Sequence, residues 1–264
     1  MSNDIVVYIL CIVLCVVLCV CIEIKYRILL RNLPIPTNLT IFLPNLKTCS
    51  SIQNVEKQLF NEGVVSGVGK IDPLLCDKVK QFANNWDKKA DYTMYGDINT
   101  RDSRYDLFMP LEGPILQVVK RLLSYWKKMN MSLYNTNARI IEVACLVSKP
   151  GCTGQRIHVD TSDRIGHRHV ISYGVFLQDV NSWLSPLVVK PDKDDTYWCS
   201  VVGKKGDVYA WSSKVEHGGG ANRTNRSRYL FYITIMYPPV KYVEVGGYSL
   251  LPKYGGGIVV GDIV

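Results

Sequence analysis

Of the four histidines in this 264-residue chain, two stand where an imidazole near a carboxylate could bind a metal. His158 and Asp160 form an HxD pair inside QRIHVDT. On a strand, residues two apart face the same side, so this pair projects one imidazole and one carboxylate into a shared space. His217, in KVEHGGGANRTNRSR, follows the strand-like GDVYAW (206–211) after a short turn. An antiparallel sandwich can bring that edge against the HVD strand to supply a third ligand. Two imidazoles and one carboxylate on one face of an octahedral ion leave the opposite face open, which is the ligand pattern of a non-haem Fe(II) oxygenase site. Arg228 lies eleven residues beyond His217, at the start of RYLFYITIM. An inward guanidinium there can grip the distal carboxylate of a dicarboxylic acid with two parallel hydrogen bonds. Metal ligands plus a basic anchor predict 2-oxoglutarate as co-substrate. Taken singly each feature is weak, since HxD recurs by chance and a strand-end Arg is commonly a surface charge; order, spacing and strand context carry the inference together.

The elements that must position these residues change character along the chain. Ser51 opens a short helix with Ile52, Val55 and Leu59 on one face, stopped by Gly63. A second starts at Asp72-Pro73 with Leu75, Val79, Phe82 and Trp86 in helical register. A third covers about 112–129, with Leu116, Val119, Leu123 and Trp126 opposite Lys120, Arg121, Lys127 and Lys128; that basic face reads as a solvated helix surface. Beyond residue 137, β-branched and aromatic runs recur at 138–147, 170–180, 186–190, 197–202, 206–211 and 228–237, which predicts short strands. Helices followed by strands predict an α+β domain in which the helices buttress one face of a curved antiparallel jelly roll. The polar, aromatic segment 93–110 (TMYGDINTRDSRYDLFMP) is the expected lid.

At the N-terminus, residues 5–22 carry no charge and as a helix would be roughly 27 Å long, enough to cross a bilayer. Asp4 precedes them without any Lys or Arg, unlike a cleaved signal peptide. Lys25, Arg27 and Arg31 follow, so the positive-inside rule predicts a single-pass anchor with the catalytic domain cytoplasmic. The expected organisation is therefore an anchor and basic flank (1–31), a proline-bearing linker (32–48), the catalytic domain (49–240) and a glycine-rich tail (241–264). Four of the nine cysteines fall inside the apolar run; Cys49, Cys76, Cys145, Cys152 and Cys199 form no CxxC pair, which speaks against a disulfide framework or a structural zinc site. Net charge is +8, but the basic residues are scattered and give no specific nucleic-acid signal.

The segment 138–237 resembles the phytanoyl-CoA dioxygenase family of Fe(II)/2-oxoglutarate oxygenases. That family's succession of a polar residue, HxD, a Gly-Asp strand, a distal His, an Asn and an Arg stands here as Gln155, His158, Asp160, Gly206, Asp207, His217, Asn222 and Arg228. FNEGVVSG (60–67) looks like its helix-then-strand opening. The resemblance implies a cupin-like double-stranded β-helix, iron held by His158, Asp160 and His217, 2-oxoglutarate bound through Arg228 with Gln155 and Asn222 nearby, and ascorbate as a possible reductant. The implied activity is hydroxylation of a small-molecule, lipid or protein substrate, since related halogenating enzymes lack the carboxylate that Asp160 retains. Two departures stand out. Position 219, where the family often has a Ser or Thr to help hold the distal carboxylate, is Gly219, and 185–198 lacks the family's Gly-Ser-His turn.

Rival readings remain. His167 and His169 form an HxH pair in a polar context, read as exposed histidines rather than ligands. Tyr173, Trp198, Tyr209 and Trp211 fall on predicted strands, where aromatics first of all pack the core. The alternatives to an oxygenase are a catalytically silent membrane-anchored scaffold on the same fold and a cupin-like Zn or Mn enzyme.

Overall fold

A computed structural model describes residues 43–47, 54–91, 95, 103–128, 134–161, 169–191, 198–240 and 249–264. Three helices come first among them. Helix α1 (Val55–Glu62) stops at Gly63, whose φ of 72° lets its N–H reach Leu59 O, a left-handed cap for which glycine carries no steric penalty. Strand β1 (Val64–Lys70) follows, then α2 (Pro73–Asp87), where Asp72 caps the helix by accepting from Leu74 N at 2.7 Å and proline fills the first turn. After β2 (Arg104–Phe108), α3 (Gly113–Lys128) buries Ile115, Val118, Val119, Leu122, Leu123 and Trp126 and turns its basic residues outward.

The remaining strands are β3 (Arg139–Ser148), β4 (Val170–Phe176), β5 (Leu187–Lys190), β6 (Cys199–Val201), β7 (Asp207–Ser212), β8 (Glu216–Gly219), β9 (Arg228–Met236) and β10 (Ile258–Val259). They form two antiparallel sheets. The larger has the order β1-β7-β4-β9-β3-β10, with β2 also paired to β3; the smaller has the order β6-β5-β8. One face of the large sheet packs on the helices through a core that includes Val65, Leu107, Val119, Trp126, Tyr173, Phe231 and Ile233. Its other face meets the small sheet through Phe176, Tyr209, Trp211, Leu230, Leu187, Val189 and Val201. Alternation along each strand explains the division: Tyr229, Phe231 and Ile233 point toward the helices, whereas Arg228, Leu230, Tyr232 and Thr234 point between the sheets. This is the helix-buttressed jelly-roll arrangement expected from the sequence.

Three expectations change. The presumed lid segment contains β2, whose residues Arg104 to Leu107 are buried and pair with β3; its apolar residues face the core and its charged ones face buried polar partners. Of the presumed glycine-rich tail, residues 249–264 are packed: Ser249 O accepts from Val143 N at 2.9 Å, and β10 pairs with Ile140 and Arg139. The membrane anchor and single-pass localisation are also corrected. Among the described residues no helix is long and apolar enough to cross a membrane. Residues 5–22, on which that expectation rested, lie outside the described residues.

Candidate metal and co-substrate site

The HxD segment adds itself to the free edge of β8. His158 and His217 face each other across an antiparallel bridge, with N–H to O distances of 2.9 Å in both directions, and Gln155 N donates to Gly219 O at 2.8 Å. Backbone pairing therefore sets the two imidazoles side by side, with ring centroids 4.5 Å apart. Asp160 N donates to Ser213 O at 2.8 Å, and the Thr161 and Ser213 hydroxyls bond at 2.7 Å, which pins the carboxylate end of the segment to the loop after β7.

One ligand atom each from His158, Asp160 and His217 lies within 4.8 Å of the other two. Asp160 Oδ1 is 3.4 Å from His217 Nε2 and 3.6 Å from His158 Nε2. The other ring nitrogens are occupied: His158 Nδ1 bonds Arg156 O at 2.8 Å and His217 Nδ1 bonds Val215 O at 2.9 Å. A carbonyl oxygen only accepts, so each Nδ1 carries a hydrogen, and each Nε2 of a neutral imidazole offers its lone pair to the shared space. That is the tautomer and orientation a metal requires, imposed by the supporting backbone. His217 is nearly inaccessible at 6% side-chain exposure, whereas His158 and Asp160 retain 41% and 35% and look onto an open side.

The electrostatics agree. Burial raises the Asp160 pKa, but the His217 charge and hydrogen bond, then His158 and Trp211, outweigh it and hold the carboxyl below its ordinary value. Burial lowers the His217 pKa, yet Asp160 reverses this and leaves it raised. His158 is pushed down by burial and by His217. A dication in the shared space would satisfy all three groups at once.

Arg228, at the start of β9 opposite Ser148 on β3, is 1% exposed. Its Nη2 donates to Ser148 Oγ at 3.2 Å, while its Nε has no acceptor. Burial, with the neighbouring Arg104 guanidinium adding to it, holds its pKa down to about 10. The Tyr209 hydroxyl, also buried without a partner, is close enough to interact electrostatically with Arg228. A buried guanidinium whose Nε has no acceptor and a buried hydroxyl without a partner fit an incoming carboxylate.

Gln155 and Asn222 serve backbone groups. Gln155 Oε1 accepts from Gly219 N at 2.7 Å. The Asn222 carboxamide donates to Ser148 O and Arg226 O and accepts from Thr224, bracing the turn that leads into Arg228. His167 lies outside the described residues.

Several interior polar residues were not anticipated from sequence. Arg104 is 2% exposed and reaches the Gly219 and Gly220 carbonyls. Asp106 accepts from Tyr232 and Ser249, and burial raises its pKa to about 6. Glu142 accepts from Thr234, which in turn bonds Ser172; burial, followed by the charge of Asp160, raises it to about 8. A polar residue between apolar neighbours on a strand was the available signal, and it is ambiguous until the strand is known to line a site.

No family model matches the sequence, and no curated protein matches it. Solved structures do match in fold. The non-haem, α-ketoglutarate-dependent epimerase SnoN from nogalamycin biosynthesis superposes with a TM-score of 0.58 at 13% identity, over 70% of this chain and 80% of that one. SnoN is also solved with Fe3+, α-ketoglutarate and nogalamycin RO, and that complex superposes with a TM-score of 0.56 at 13% identity, covering 70% of this chain and 83% of its own. AviO1 from Streptomyces viridochromogenes Tue57 gives 0.53 at 13% identity, covering 74% and 98%. These likenesses establish the fold of non-haem iron and 2-oxoglutarate-dependent enzymes; a phytanoyl-CoA dioxygenase assignment rests on the motif succession alone.

Proposed function

We propose that this chain is an Fe(II)- and 2-oxoglutarate-dependent oxidoreductase that oxidises a C–H bond of a small molecule, with hydroxylation as the outcome. The observation that carries this is a pair of features linked through the rings of Trp211 and Tyr209, whose centroids are 5.4 Å apart. One is the convergence of two Nε2 atoms and one carboxylate, and the other is the buried Arg228 guanidinium, which forms no ion pair among the described residues.

In this reading His158, Asp160 and His217 hold the iron, and Arg228 with Tyr209 holds the distal carboxylate of 2-oxoglutarate. When bound, the iron and its 2-oxo acid supply dioxygen activation, with the acid oxidised and decarboxylated to succinate. The protein's own residues bind, orient and exclude. Arg156 O and Val215 O keep the hydrogen on Nδ1 of each histidine, so neither ligand is lost to the wrong tautomer. Trp211, 6% exposed with its ring centroid 6.1 Å from that of His217, walls the interior side against water. The exposed side of His158 and Asp160 is where a substrate would approach. The catalytic unit is assigned to residues 49–240, completed by the packed segment 249–264. That SnoN is solved with nogalamycin RO supports a small-molecule substrate.

The experiment is succinate formation from 2-oxoglutarate by the purified chain with Fe(II) and ascorbate in air, beside an Asp160→Ala control, together with calorimetric titration of Mn(II) and then 2-oxoglutarate. Succinate and tight ternary binding, both lost in the control, are expected. A wild-type chain that binds neither Mn(II) nor 2-oxoglutarate would sink the assignment in favour of a scaffold.

A further inference from the structure

Gly219 stands where the resemblance leads one to expect a hydroxyl-bearing side chain, and its surroundings explain the glycine. A Cβ at 219 would lie 2.5 Å from Arg104 Nη1 and 2.7 Å from Gln155 Oε1. The space that a Ser or Thr would use is occupied by a guanidinium arriving from β2, across the sandwich. Arg104 Nη1 donates to Gly219 O at 2.8 Å; Nη2 donates to Gly220 O, to Ser185 Oγ at 3.0 Å and to Cys152 Sγ at 3.3 Å; Nε has no acceptor. None of these partners is an acid. Arg104 and Arg228 flank Ser148 in register, one on each side of β3, which places two positive charges in one neighbourhood, and among the described residues neither guanidinium forms an ion pair. Two like charges placed together in a low-dielectric interior repel unless an anion joins them.

We propose that Arg104 replaces the missing hydroxyl as the second cation of the co-substrate pocket, so that a dicarboxylic 2-oxo acid is held between two arginines instead of one arginine and a hydroxyl. The proposal rests on the 2-oxoglutarate reading above. Arg104 acts as a positioning and specificity-determining residue. Its clamps on the Gly219 and Gly220 carbonyls fix the end of β8, two residues from His217, and its charge selects a co-substrate whose far end is anionic. The glycine at 219 is then a consequence of Arg104, and substitutions at the two positions are coupled.

The test uses the full chain loaded with Mn(II), titrated calorimetrically with 2-oxoglutarate and with 2-oxopentanoate, which keeps the chain length but ends in a methyl group. Wild type is expected to prefer 2-oxoglutarate by at least about a hundredfold. Arg104→Met, which keeps the stem and removes the charge, should weaken 2-oxoglutarate binding by about tenfold to a hundredfold and leave 2-oxopentanoate unchanged. Arg104→Lys, which restores the charge, should stay within about tenfold of wild type. Gly219→Ser should weaken binding in the wild-type background and recover about tenfold in the Arg104→Met background, where its hydroxyl has room. The proposal is overturned by wild-type 2-oxoglutarate affinity in Arg104→Met, or by an equal loss for both acids with no recovery from Gly219→Ser, the signature of a purely structural clamp. If wild type binds Mn(II) but not 2-oxoglutarate, the co-substrate reading itself fails and the inference falls with it.

Discussion

Replacing Arg228 by Met should make the ligand-free protein more stable while removing its ability to be stabilised by 2-oxoglutarate. The guanidinium is 1% exposed, donates to Ser148 Oγ and forms no ion pair among the described residues. Burial pushes its pKa down to about 10, well below the ordinary arginine value, and each pK unit corresponds to about 1.4 kcal/mol. Burial therefore disfavours the charged form by about 3 kcal/mol. The sign is that of a cation with a depressed pKa: the unfolded chain binds more protons only between the two values, so the penalty is present in full at any pH below about 10. Arginine does not escape by deprotonating at neutral pH, so the cost is carried as lost stability.

A methionine of similar length keeps the packing and removes the charge, and such replacements of buried ions commonly stabilise by about 1–4 kcal/mol. Allowing for the lost Ser148 bond, a gain of roughly 2 kcal/mol is expected, or roughly 4–8 °C in Tm for a domain of this size. With Mn(II) present throughout, 2-oxoglutarate at about a hundred times its Kd should stabilise wild type by about 2.7 kcal/mol and the variant not at all. The two melting curves therefore exchange order when the acid is added. Differential scanning fluorimetry in four samples reads this directly. A variant less stable than wild type without ligand, or one that still shifts with 2-oxoglutarate, refutes the assignment of Arg228 as an unpaired cation awaiting a carboxylate.

Other consequences follow from individual residues. Gly206 has φ of +90°, and a Cβ there would lie 2.2 Å from Ile71 O, so Gly206→Ala should cost at least about 2 kcal/mol in urea denaturation; a smaller loss would mean that the β7 entrance relaxes freely. Glu142 has its pKa raised to about 8 by burial and by Asp160, so its contribution is fully present below its unfolded value near 4.5 and is lost as pH rises through about 8. Metal-free wild type should lose on the order of 3 kcal/mol between pH 5 and 8.5, and Glu142→Gln should flatten that slope; parallel profiles would show that Glu142 titrates normally. His217→Ala should abolish Mn(II) binding outright, whereas Arg156→Ala, which leaves the carbonyl supporting His158 in place, should retain it within about threefold; calorimetry separates the two. Equal losses would mean that side-chain charge at 156, not the backbone, supports the site.

The grouping of His158, Asp160 and His217 was legible because chemistry and period coincide: in an extended chain HxD places both groups on one face, and the turn after GDVYAW leaves His217 on the strand that the HxD segment joins. Arg228 was legible for the same reason, as the first residue of an apolar strand. Helix ends were marked by Gly63 and by Asp72-Pro73, where backbone conformation and capping leave few choices. What the sequence hid was β2. Its residues, Arg-Tyr-Asp-Leu-Phe, alternate charge with apolar side chains, and from sequence alone that pattern describes an exposed edge or a lid as well as a strand lining a polar interior. Arg104, Asp106 and, on β3, Glu142 were passed over because a buried charge looks like a surface charge until its surroundings are known. Residues 249–264 were misjudged through their glycines, which permit the close approaches of Gly257 to Ile140 O and Gly261 to Thr136 O.

The missing hydroxyl at 219 shows why a motif departure is better resolved in three dimensions than counted as a loss. Along the sequence, glycine two residues after the distal histidine looks like loss of a carboxylate-binding hydroxyl. In the fold, 219 adjoins a charge from 115 residues earlier in the chain, and on the reading proposed above a cation stands where the hydroxyl is missing. Decay would have left a cavity or an apolar side chain; it would not have retained a second buried guanidinium, bonded to four neutral groups and destabilised by its like-charged neighbour. Such an arrangement persists against its own electrostatic cost only if something anionic relieves it, which makes an occupied pocket a better account of these residues than an abandoned one.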